Sequence, residues 1–467
     1  DYVMRKTNQY RRLILFLSAA VLVFAQSAVF ACGWHFVYNT ASFLEEPFSY
    51  RGTIVLIGLY AVISIMFYKL FGCFRVGYHR VYDSLFNQLC TLIGINIFAY
   101  LLLCLACRWE PGENWYPMVV MTLVDMVIVI FWSLLGRFLY LLLSPPRELL
   151  LIYGDYRPDN LMNKLASRPD KYQIKEAISM DTDFDEMTHK ISQHGSVVLT
   201  DIPSQLRNDL LKYCFANDIR CYCVPKISDI MVMNATELNL FDTSLLLMRN
   251  SGMSGGQKFA KRLFDIVVSL IGIVIASPFM LIIALCVKLY DGGPVLFRQE
   301  RLTQNGKVFQ VLKFRSMRVD NGKTDYCMTS KNDSRITPVG KIIRNIHFDE
   351  LPQLFNILKG DMSIVGPRPE CPQLAEEYRQ FIPEFNFRLK VKAGLTGYAQ
   401  VYGKYNTTPY DKLKLDLTYI EKYSFLLDLQ LILMTIKILF QKENTEGIES
   451  WQKSAATEDN LEQLVKQ

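Results

Sequence analysis

Long apolar runs alternate with polar stretches along this chain and divide it before any motif is considered. Four runs lie in the first third of the chain, at about 13–37, 52–73, 84–106 and 117–143. Each has about the 20 residues that a membrane helix needs. A fifth run, IVVSLIGIVIASPFMLIIALCV, covers Ile266–Val287 and carries Ser277 and Pro278 at its middle. The pattern predicts a four-span membrane bundle and a fifth apolar helix of a different kind.

The charges beside the first four runs predict which side of the membrane each loop faces. Basic residues lie before the first run, between runs two and three, and around the end of run four: Arg5, Lys6, Arg11, Arg12, Arg75, Arg80, Arg137 and Arg147. The loops after runs one and three are acidic instead, so both ends of the bundle are predicted to be cytoplasmic. The first run has no small-residue cleavage pattern, which favours a span over a removed signal peptide. We expect no charged residue with a partner in mid-span, and hence no transport path.

The fifth run is flanked by basic residues on both sides: Lys258, Lys261, Arg262, Lys288 and Arg298. This symmetry indicates that both of its ends stay in the cytoplasm. Pro278 removes a helical hydrogen bond, and Ser277 can bond a carbonyl freed by the kink. We therefore expect a helix, a break and a second helix that enters one leaflet and returns. The alternative is a kinked span, which would place everything after residue 290 outside the cell.

Composition narrows the class of partner. Hydrophobic residues make up 51% of the 467 residues and charged residues 21%, so the chain is more apolar than an ordinary soluble protein. The net charge of +6 fits lipid headgroups or a phosphorylated substrate better than nucleic acid, and we expect no nucleic-acid partner. The eleven cysteines predict reduced thiols rather than a disulfide framework. Cys221 and Cys223 lack a second cysteine pair, so we expect packing and not a zinc site there.

Strand and helix patterns alternate through the middle of the chain. ELLLIYG (148–154), GSVVLTD (195–201) and IRCYCV (219–224) have strand patterns, and SQLRNDLLKYCFAN (204–217) has a helical one. This alternation predicts a small α/β, Rossmann-like domain. A dinucleotide site needs further glycines after the first strand, and the turn here is GDYRPDN. The domain is therefore expected to bind no dinucleotide and to be structural or regulatory.

The segment after the fifth run, GPVLFRQERLTQNGKVFQVLKFRSM (293–317), has Asn305 and Gly306 between two β-type patterns, which predicts a hairpin. Its surroundings are basic: Arg298, Arg301, Lys307, Lys313, Arg315 and Arg318. These basic residues have two interpretations at this point: contact with anionic lipid, and a pocket for a polyphosphate. The two do not exclude each other.

The stretch HFDELPQLFNILKGDMSIVGPRPE (347–370) carries the strongest chemical signal. Its apolar residues repeat at helical spacing, Pro352 suits a first turn and Gly360 suits an end, so we expect Asp349 and Glu350 at a helix N-terminus. There the helix dipole stabilises carboxylates and free N–H groups favour a phosphate. An ionised carboxylate is a usable nucleophile or hard-metal ligand. Two adjacent carboxylates repel each other unless a cation separates them, which indicates Mg²⁺.

Two arginines complete this candidate site. Arg344 lies five residues before Asp349, and Arg368 is fixed between Pro367 and Pro369. Arginines together with a metal ion commonly neutralise the oxygens of a transferring phosphoryl group. The alternative, in which the acid pair only caps the helix and is solvated, is disfavoured by these arginines and by the membrane break just upstream.

Several motifs occur in fixed order over about residues 258–443: KRLFD, Ser277-Pro278, GPVLFRQ, KFRSM, DSRITPVGKIIR, DELPQLFNILKGDMSIVGPRPE and GLTGYAQV. Together they resemble the bacterial monotopic phosphoglycosyltransferases, which are polyprenyl-phosphate sugar-phosphate transferases that begin exopolysaccharide, capsule and O-antigen assembly. The preceding membrane bundle and degenerate α/β domain resemble the large form of this family. Thr303 and Ala393 stand where the family commonly has Gly and Pro.

The resemblance implies a ping-pong reaction at the cytoplasmic face of the bacterial inner membrane. Asp349 matches the nucleophile, which takes the sugar-linked phosphate of a UDP-sugar and expels UMP before undecaprenyl phosphate accepts the phosphosugar. Glu350 matches the carboxylate that holds Mg²⁺, and Ser277 with Pro278 matches the break of a re-entrant helix. The residues expected to bind the substrate phosphates are Arg344, Arg368, Lys313 and Arg315. A hexose, glucose or galactose, is expected, with an N-acetylhexosamine as the alternative, and large forms suggest a homodimer.

The predicted fold class is a four-span helical membrane bundle, a small Rossmann-like α/β domain and an α/β monotopic catalytic domain with a re-entrant helix at about 262–290. The predicted boundaries are 1–146, 147–250 and 251–443, with a polar tail at 444–467. Within 410–440 we expect a helix with Asp416, Tyr419 and Tyr423 facing the site or an interface, then a helix lying on the membrane. Two other functions are weighed: a catalytically silent membrane scaffold, and a nucleotide-sugar dehydratase that the missing glycines disfavour.

Overall fold

A computed structural model describes residues 2–40, 44, 46–74, 81–107, 109, 114–143, 146–155, 158–248, 252–318, 335–403 and 407–439. Within these ranges it does not describe the side chains of 2–12, 15, 81–83, 143, 291 and 437–439. The predicted polar tail and most of the charges used to predict the topology therefore lie outside it. The chain forms two compact units, Asp1–Arg147 with Leu165–Gln173, and Glu148–Lys164 with Ile174–Gln467.

The first unit is built from four long helices: α1 (Tyr2–Gly33, continued by a π-helical turn at Trp34–Tyr38), α2 (Tyr50–Leu70), α3 (Val81–Ala106) and α4 (Tyr116–Leu143). By length and composition, each contains a segment that could cross a membrane, as the apolar runs predict. Aromatic residues fill the interior, where Tyr60 stacks on Phe30 with ring centroids 4.2 Å apart. Aliphatic side chains such as Val55 and Val127 are exposed outside. This arrangement suits a bundle surrounded by lipid.

One residue of this bundle contradicts the expectation of no partnered charge in mid-span. Asp125 of α4 is buried at 1% exposure, and its Oδ2 accepts a hydrogen bond from Asn96 Nδ2 of α3 at 3.2 Å. Asn96 Oδ1 in turn accepts from the Tyr60 hydroxyl of α2 at 2.8 Å. The three side chains link three helices through polar groups that lipid could not satisfy.

The predicted Rossmann-like region forms a parallel sheet of four strands in the order β2-β1-β3-β4. Its strands are β1 (Arg147–Tyr153), β2 (Tyr172–Ser179), β3 (Ser196–Thr200) and β4 (Arg220–Cys223). Its helices are α5 (Asp159–Ala166), α6 (Phe184–His194), α7 (Ser204–Ala216) and α8 (Ile227–Val232). The centre of β1 is fully buried, which explains why it is a continuous apolar run. An exposed hairpin follows, formed by β5 (Thr236–Leu240) and β6 (Thr243–Leu247).

Helix α9 (Gly255–Asp291) contains the whole fifth apolar run. The expected separation into two helices at Pro278 is not observed, because the helix continues through this residue. Pro278 has no N–H for the carbonyl of Val274 four residues earlier, and the Ser277 hydroxyl donates to that carbonyl instead, at 2.8 Å. The freed carbonyl therefore keeps a donor, as the sequence suggested.

The rest of the second unit packs around α9. The predicted hairpin is present as β7 (Leu296–Leu302) and β8 (Val308–Phe314), with Asn305 in the left-handed region at its turn. The remaining elements are α10 (Pro338–Asn345), α11 (Gln353–Lys359), β9 (Ser363–Val365), α12 (Pro372–Phe381), β10 (Gly394–Thr396), α13 (Tyr398–Tyr402), α14 (Pro409–Glu421) and α15 (Phe425–Leu439). Parallel strands β9 and β10 lie at the centre of a core that includes Ile357, Val365 and Leu413. Ile227 and Ile230 of α8 share this core, so the Rossmann-like part is packed onto the C-terminal part.

Candidate active site

The acid pair lies in a short 3₁₀ turn of its own, Phe348–Glu350, which precedes α11. Both acids therefore lie at the N-terminal side of α11, as expected, but in a turn of their own, because Pro352 caps that helix and the acids come before it. His347 adopts the left-handed conformation, with φ of 56°, between α10 and this turn. The chain turns here, and the Glu350 carboxylate reaches Lys313 of β8.

Phe348 places the acid pair beside the apolar helix. Its ring contacts Phe279 of α9 edge-on, with centroids 6.0 Å apart, and Phe279 directly follows Pro278. Leu351, on the other side of the acids, packs with Met280 and Ile283 of the same helix. The acids are thus held next to the segment that the sequence predicts to enter the membrane.

Glu350 is paired with two cations. Lys313 Nζ of β8 lies 2.7 Å from Glu350 Oε1, and Arg368 Nη2 lies 3.0 Å from the same oxygen. The Glu350 side chain is 13% exposed and that of Lys313 is 21% exposed, whereas that of Arg368 is 45% exposed. One buried carboxylate therefore brings together a lysine from the hairpin and the arginine of the GPRP loop.

The two carboxyl groups differ in their electrostatic environment. Burial alone would raise the pKa of Glu350, but Lys313 and Arg368 outweigh it and hold this pKa well below its usual range. Burial raises the pKa of Asp349, and the adjacent charge of Glu350 raises it further, although Lys313 and Arg344 offset part of this effect. Glu350 is therefore the permanent carboxylate and Asp349 the more basic one. A more basic carboxylate is the better nucleophile once it is ionised.

The other two predicted phosphate-binding residues, Arg344 and Arg315, lie in different segments of the chain. Arg344 is in the last turn of α10, and its charge lowers the pKa of Asp349. Arg315 follows β8 and is buried at 8% exposure, with its guanidinium packed against Gly293 so closely that no side chain would fit there. The roles of Arg344, Arg315, Lys313 and Arg368 at the phosphates of a substrate stay predictions.

Sequence patterns gave no sign of two buried charge networks behind the site. Arg388, from a 3₁₀ helix at Pro383–Lys390, pairs with Asp416 of α14 at 2.7 Å and with Glu370 at 3.4 Å. Lys261 of α9 pairs with Asp428 of α15 at 2.6 Å, and Asp428 also accepts from the Tyr419 hydroxyl at 2.8 Å. Asp416 and Tyr419 therefore lie in the interior, not facing an open site as expected. The burial of these charges depends on how the helices pack against each other, so local sequence patterns could not predict it.

The two residues that depart from the family's common pattern contact each other. The backbone N–H of Ala393, which a proline would lack, donates to the Thr303 hydroxyl at 3.2 Å. That hydroxyl, which a glycine would lack, donates to the carbonyl of Asp361 at 2.8 Å. Thr303 and Ala393 therefore form hydrogen bonds that the family's common Gly and Pro could not form. Both residues lie away from the acid pair.

The donor set was also compared with the needs of magnesium. Mg²⁺ in phosphoryl-transfer sites is bound by one or two carboxylates together with substrate phosphates and water. Asp349 and Glu350 supply that number, and both ion pairs of Glu350 use Oε1. Among the described residues, no group of three or more acidic, histidine or cysteine side chains could hold a metal ion by itself. The site fits a magnesium ion that arrives with a diphosphate, and not one held by protein alone.

Comparison with known proteins matches this part of the chain to one family. Residues 256–442 match the family described as bacterial sugar transferase. Two relatives are named UDP-glucose:undecaprenyl-phosphate glucose-1-phosphate transferase. The one from Klebsiella pneumoniae is 38% identical over 46% of this chain and 47% of its own length, and the one from Caulobacter vibrioides is 39% identical over 39% of this chain and 71% of its own.

A third relative, from Aeromonas hydrophila, is named UDP-N-acetylgalactosamine-undecaprenyl-phosphate N-acetylgalactosaminephosphotransferase. It is 32% identical over 63% of this chain and 67% of its own length. The chain spans only about half the length of several of the curated relatives it matches. Since the match also covers most of the Caulobacter protein, the chain belongs to the bacterial sugar transferase family.

Proposed function

We propose that this protein transfers a sugar-1-phosphate from a UDP-sugar to undecaprenyl phosphate, as the first membrane step of exopolysaccharide, capsule or O-antigen assembly. The observation that carries the proposal is the acid pair beside α9, in which Glu350 is paired with Lys313 and Arg368. A polar donor from the cytosol and a lipid acceptor must meet at such a place. The names of the relatives, which act on UDP-sugars and undecaprenyl phosphate, support the same reaction.

In the proposed mechanism, the Asp349 carboxylate attacks the sugar-linked phosphorus of the UDP-sugar. A bond forms between the carboxylate and phosphorus, and the bond from that phosphorus to the bridging oxygen breaks, so that UMP leaves with the electron pair. A phosphate oxygen of undecaprenyl phosphate then attacks the phosphorus and displaces Asp349. The product is undecaprenyl-diphospho-sugar, and the carboxylate is regenerated.

The cations around Glu350 have a defined task in this scheme. Lys313 and Arg368 neutralise the negative charge on the phosphate oxygens as the bonds exchange, and Arg344 does so from the side of α10. Arg368 suits this role because its half-exposed side chain can reach a substrate while its backbone stays fixed. Asp349 and Glu350 would hold a magnesium ion with the substrate phosphates, where it would further neutralise their charge.

We further propose that α9 is re-entrant, with the catalytic part on the cytoplasmic face of the inner membrane. At its first turns, Arg262 donates to the carbonyls of Ile357 and Leu358 at 2.7 Å each. Near its end, Val287 packs in the same cluster as Phe314 of β8. Both ends of α9 thus contact one folded region, which supports both ends lying on one side.

The outer face of α9 supports membrane insertion. Along its length this face exposes large apolar side chains, among them Leu270, Val274 and Leu281, which are 53%, 66% and 73% exposed. A straight helix of 37 residues would be about 55 Å long, so the re-entrant proposal requires α9 to bend at Pro278 and return to the same side. An impermeant thiol reagent applied to intact cells should label neither Phe259→Cys nor Leu289→Cys, and labelling at one position only would show a spanning helix.

The transferred sugar is proposed to be a hexose, glucose or galactose, and the Klebsiella and Caulobacter relatives are named for UDP-glucose. An N-acetylhexosamine is the alternative, since the Aeromonas relative is named for one. A homodimer in the membrane is proposed as well. A silent scaffold is the weaker reading, because a scaffold has no need of Lys313 and Arg368 around a buried acid.

The test uses the full chain in lipid nanodiscs with undecaprenyl phosphate, Mg²⁺ and a panel of UDP-sugars. UMP release and a new lipid product are expected with one sugar, and Asp349→Asn should abolish both. Asp209→Asn, on the exposed surface of α7, is the matched control and should retain full activity. With UDP-sugar alone, intact mass should show a phosphosugar on the wild-type chain. Unchanged UMP release by Asp349→Asn would remove Asp349 as the nucleophile.

A further inference from the structure

The side chain of Arg368 is not fixed by packing, yet its place beside Glu350 is central to the site. It is 45% exposed, and its hydrogen bond goes to Glu350 at 3.0 Å. An exposed arginine has many rotamers, so the position of its guanidinium depends on how firmly its backbone is held. The question is therefore what fixes the backbone of the loop Pro367–Glu370.

The loop is held by its carbonyl groups. Pro367 and Pro369 have no N–H, so the loop cannot be anchored through donors of its own at these positions. Instead, four consecutive carbonyls each accept from a different donor: Pro367 from Gly394 N–H at 2.8 Å, Arg368 from Arg388 Nη2 at 3.0 Å, Pro369 from Arg301 Nη1 at 3.0 Å and Glu370 from Leu302 N–H at 3.0 Å. Two of the four donors are arginine side chains.

Both arginines are held where they are by other side chains. Arg388 is only 3% exposed, and its guanidinium is balanced by Asp416 at 2.7 Å and Glu370 at 3.4 Å. Arg301 is 17% exposed, and its Nε and Nη2 donate to Gln299 Oε1 at 3.2 and 2.8 Å. A planar guanidinium can serve several acceptors in fixed directions, which a lysine ammonium cannot. Arg388 is too deeply buried to reach a substrate phosphate itself.

We propose that Arg388 and Arg301 are positioning residues, which set the place of the phosphate-binding Arg368 through the carbonyls of Arg368 and Pro369. Asp416 of α14 supports them by neutralising Arg388 in the interior. The catalytic half of this proposal rests on the proposed function. Its structural half, the fixing of the loop, does not.

The decisive measurement is a double-mutant cycle on UMP release. Arg388→Gln should lower kcat/KM about 10- to 100-fold, since small displacements of a phosphate-binding group have costs of that order. If Arg388 acts through Arg368, the same change in an Arg368→Ala background should have an effect of less than about twofold. Arg388→Lys should recover part of the activity. Arg379→Gln, at an exposed arginine on α12, is the matched control and should behave as wild type.

Hydrogen exchange provides a readout that needs no activity. In Arg388→Gln and in Arg301→Gln, the amide groups of the loop at Arg368 and Glu370, and those of Leu302 and Gly394 that donate to its carbonyls, should exchange faster, while peptides from α7 should not change. Arg368→Ala should leave exchange of this loop as in the wild type. If Arg388→Gln is not recovered from membranes, Arg388→Lys and Arg301→Gln are used in both measurements.

The outcomes separate the two proposals. A wild-type protein that releases no UMP from any UDP-sugar, but whose loop loosens in the variants, overturns the proposed function and keeps the fixing of the loop. Equal losses from Arg388→Gln with and without Arg368 would show that Arg388 acts by another route. Unchanged exchange of the loop in the variants would overturn the positioning role altogether.

Discussion

The ion pair between Lys313 and Glu350 allows the most quantitative test of the site. Lys313→Met keeps the length and apolar stem of the side chain and removes only its charge and donors. Lys313 Nζ lies 2.7 Å from Glu350 Oε1, but Arg368 holds the same oxygen at 3.0 Å. Glu350 therefore keeps one cation in the variant, and we expect the protein to fold.

The expected losses of kcat/KM and of folding stability follow from what the Lys313 ammonium contacts in the transition state and in the folded protein. A hydrogen bond to a charged group contributes about 1.5–3 kcal/mol. If Lys313 makes such a bond to a phosphate oxygen in the transition state, its loss lowers kcat/KM about 10- to 150-fold. The loss of folding stability should lie near the lower end of that energy range, because Arg368 prevents Glu350 from becoming an unpaired buried charge.

UMP release at saturating acceptor gives kcat and KM, and a thermal melt in detergent gives stability. Lys307→Met is the matched control, because it is a lysine at the turn of the same hairpin, 70% exposed, with a long contact of 3.8 Å to Asp361. It should change kcat/KM less than twofold. An equal loss in Lys307→Met would mean that only the overall charge of the hairpin matters, and full activity in Lys313→Met would refute the role of Lys313.

Three further outcomes are expected from the same structure. Because the nucleophile must be ionised and the Arg344 charge lowers the pKa of Asp349, Arg344→Gln should move the acid limb of kcat/KM to higher pH, and a profile that stays in place would contradict this. Lys261→Met should cost about 3–5 kcal/mol of unfolding free energy by leaving Asp428 buried without its cation, whereas Lys261→Met combined with Asp428→Leu should recover most of it in denaturant titrations. Ser277→Ala should cost about 1 kcal/mol in thermal melts by removing the donor at the proline site, and an unchanged melt would show that this carbonyl needs no partner.

The sequence alone was sufficient for elements whose pattern is local. The apolar runs, the hairpin around Asn305 and the helix ending at Gly360 are all present, because burial period and backbone preference act within a few residues. Asp349 and Glu350 were also identifiable as a site, since adjacent acids near fixed arginines are costly without a cation.

Local pattern failed where the backbone could take more than one course, and where a partner lies on another helix. Pro278 predicted an interruption of α9, but the Ser277 hydroxyl gives the freed carbonyl a donor and the helix continues. The sequence placed the acid pair at the N-terminus of α11, but it did not show that the left-handed His347 starts a separate 3₁₀ turn there. Asp125 was missed because its partner, Asn96, is on another helix.

The family and the acid pair were therefore identifiable from the order of residues, which specifies chemical groups and their local spacing, and the proposed reaction rests on the same information. Only the tertiary structure decided which cations share Glu350, that Phe348 places the site against α9, and that buried arginines hold the carbonyls around Arg368. The physical reason is that the electrostatic interaction of a charge becomes strong, and an arginine side chain becomes fixed, only when folding has removed water from around it. Residues far apart in sequence exclude this water together, so no local sequence pattern can show which charges interact strongly or which arginines are fixed.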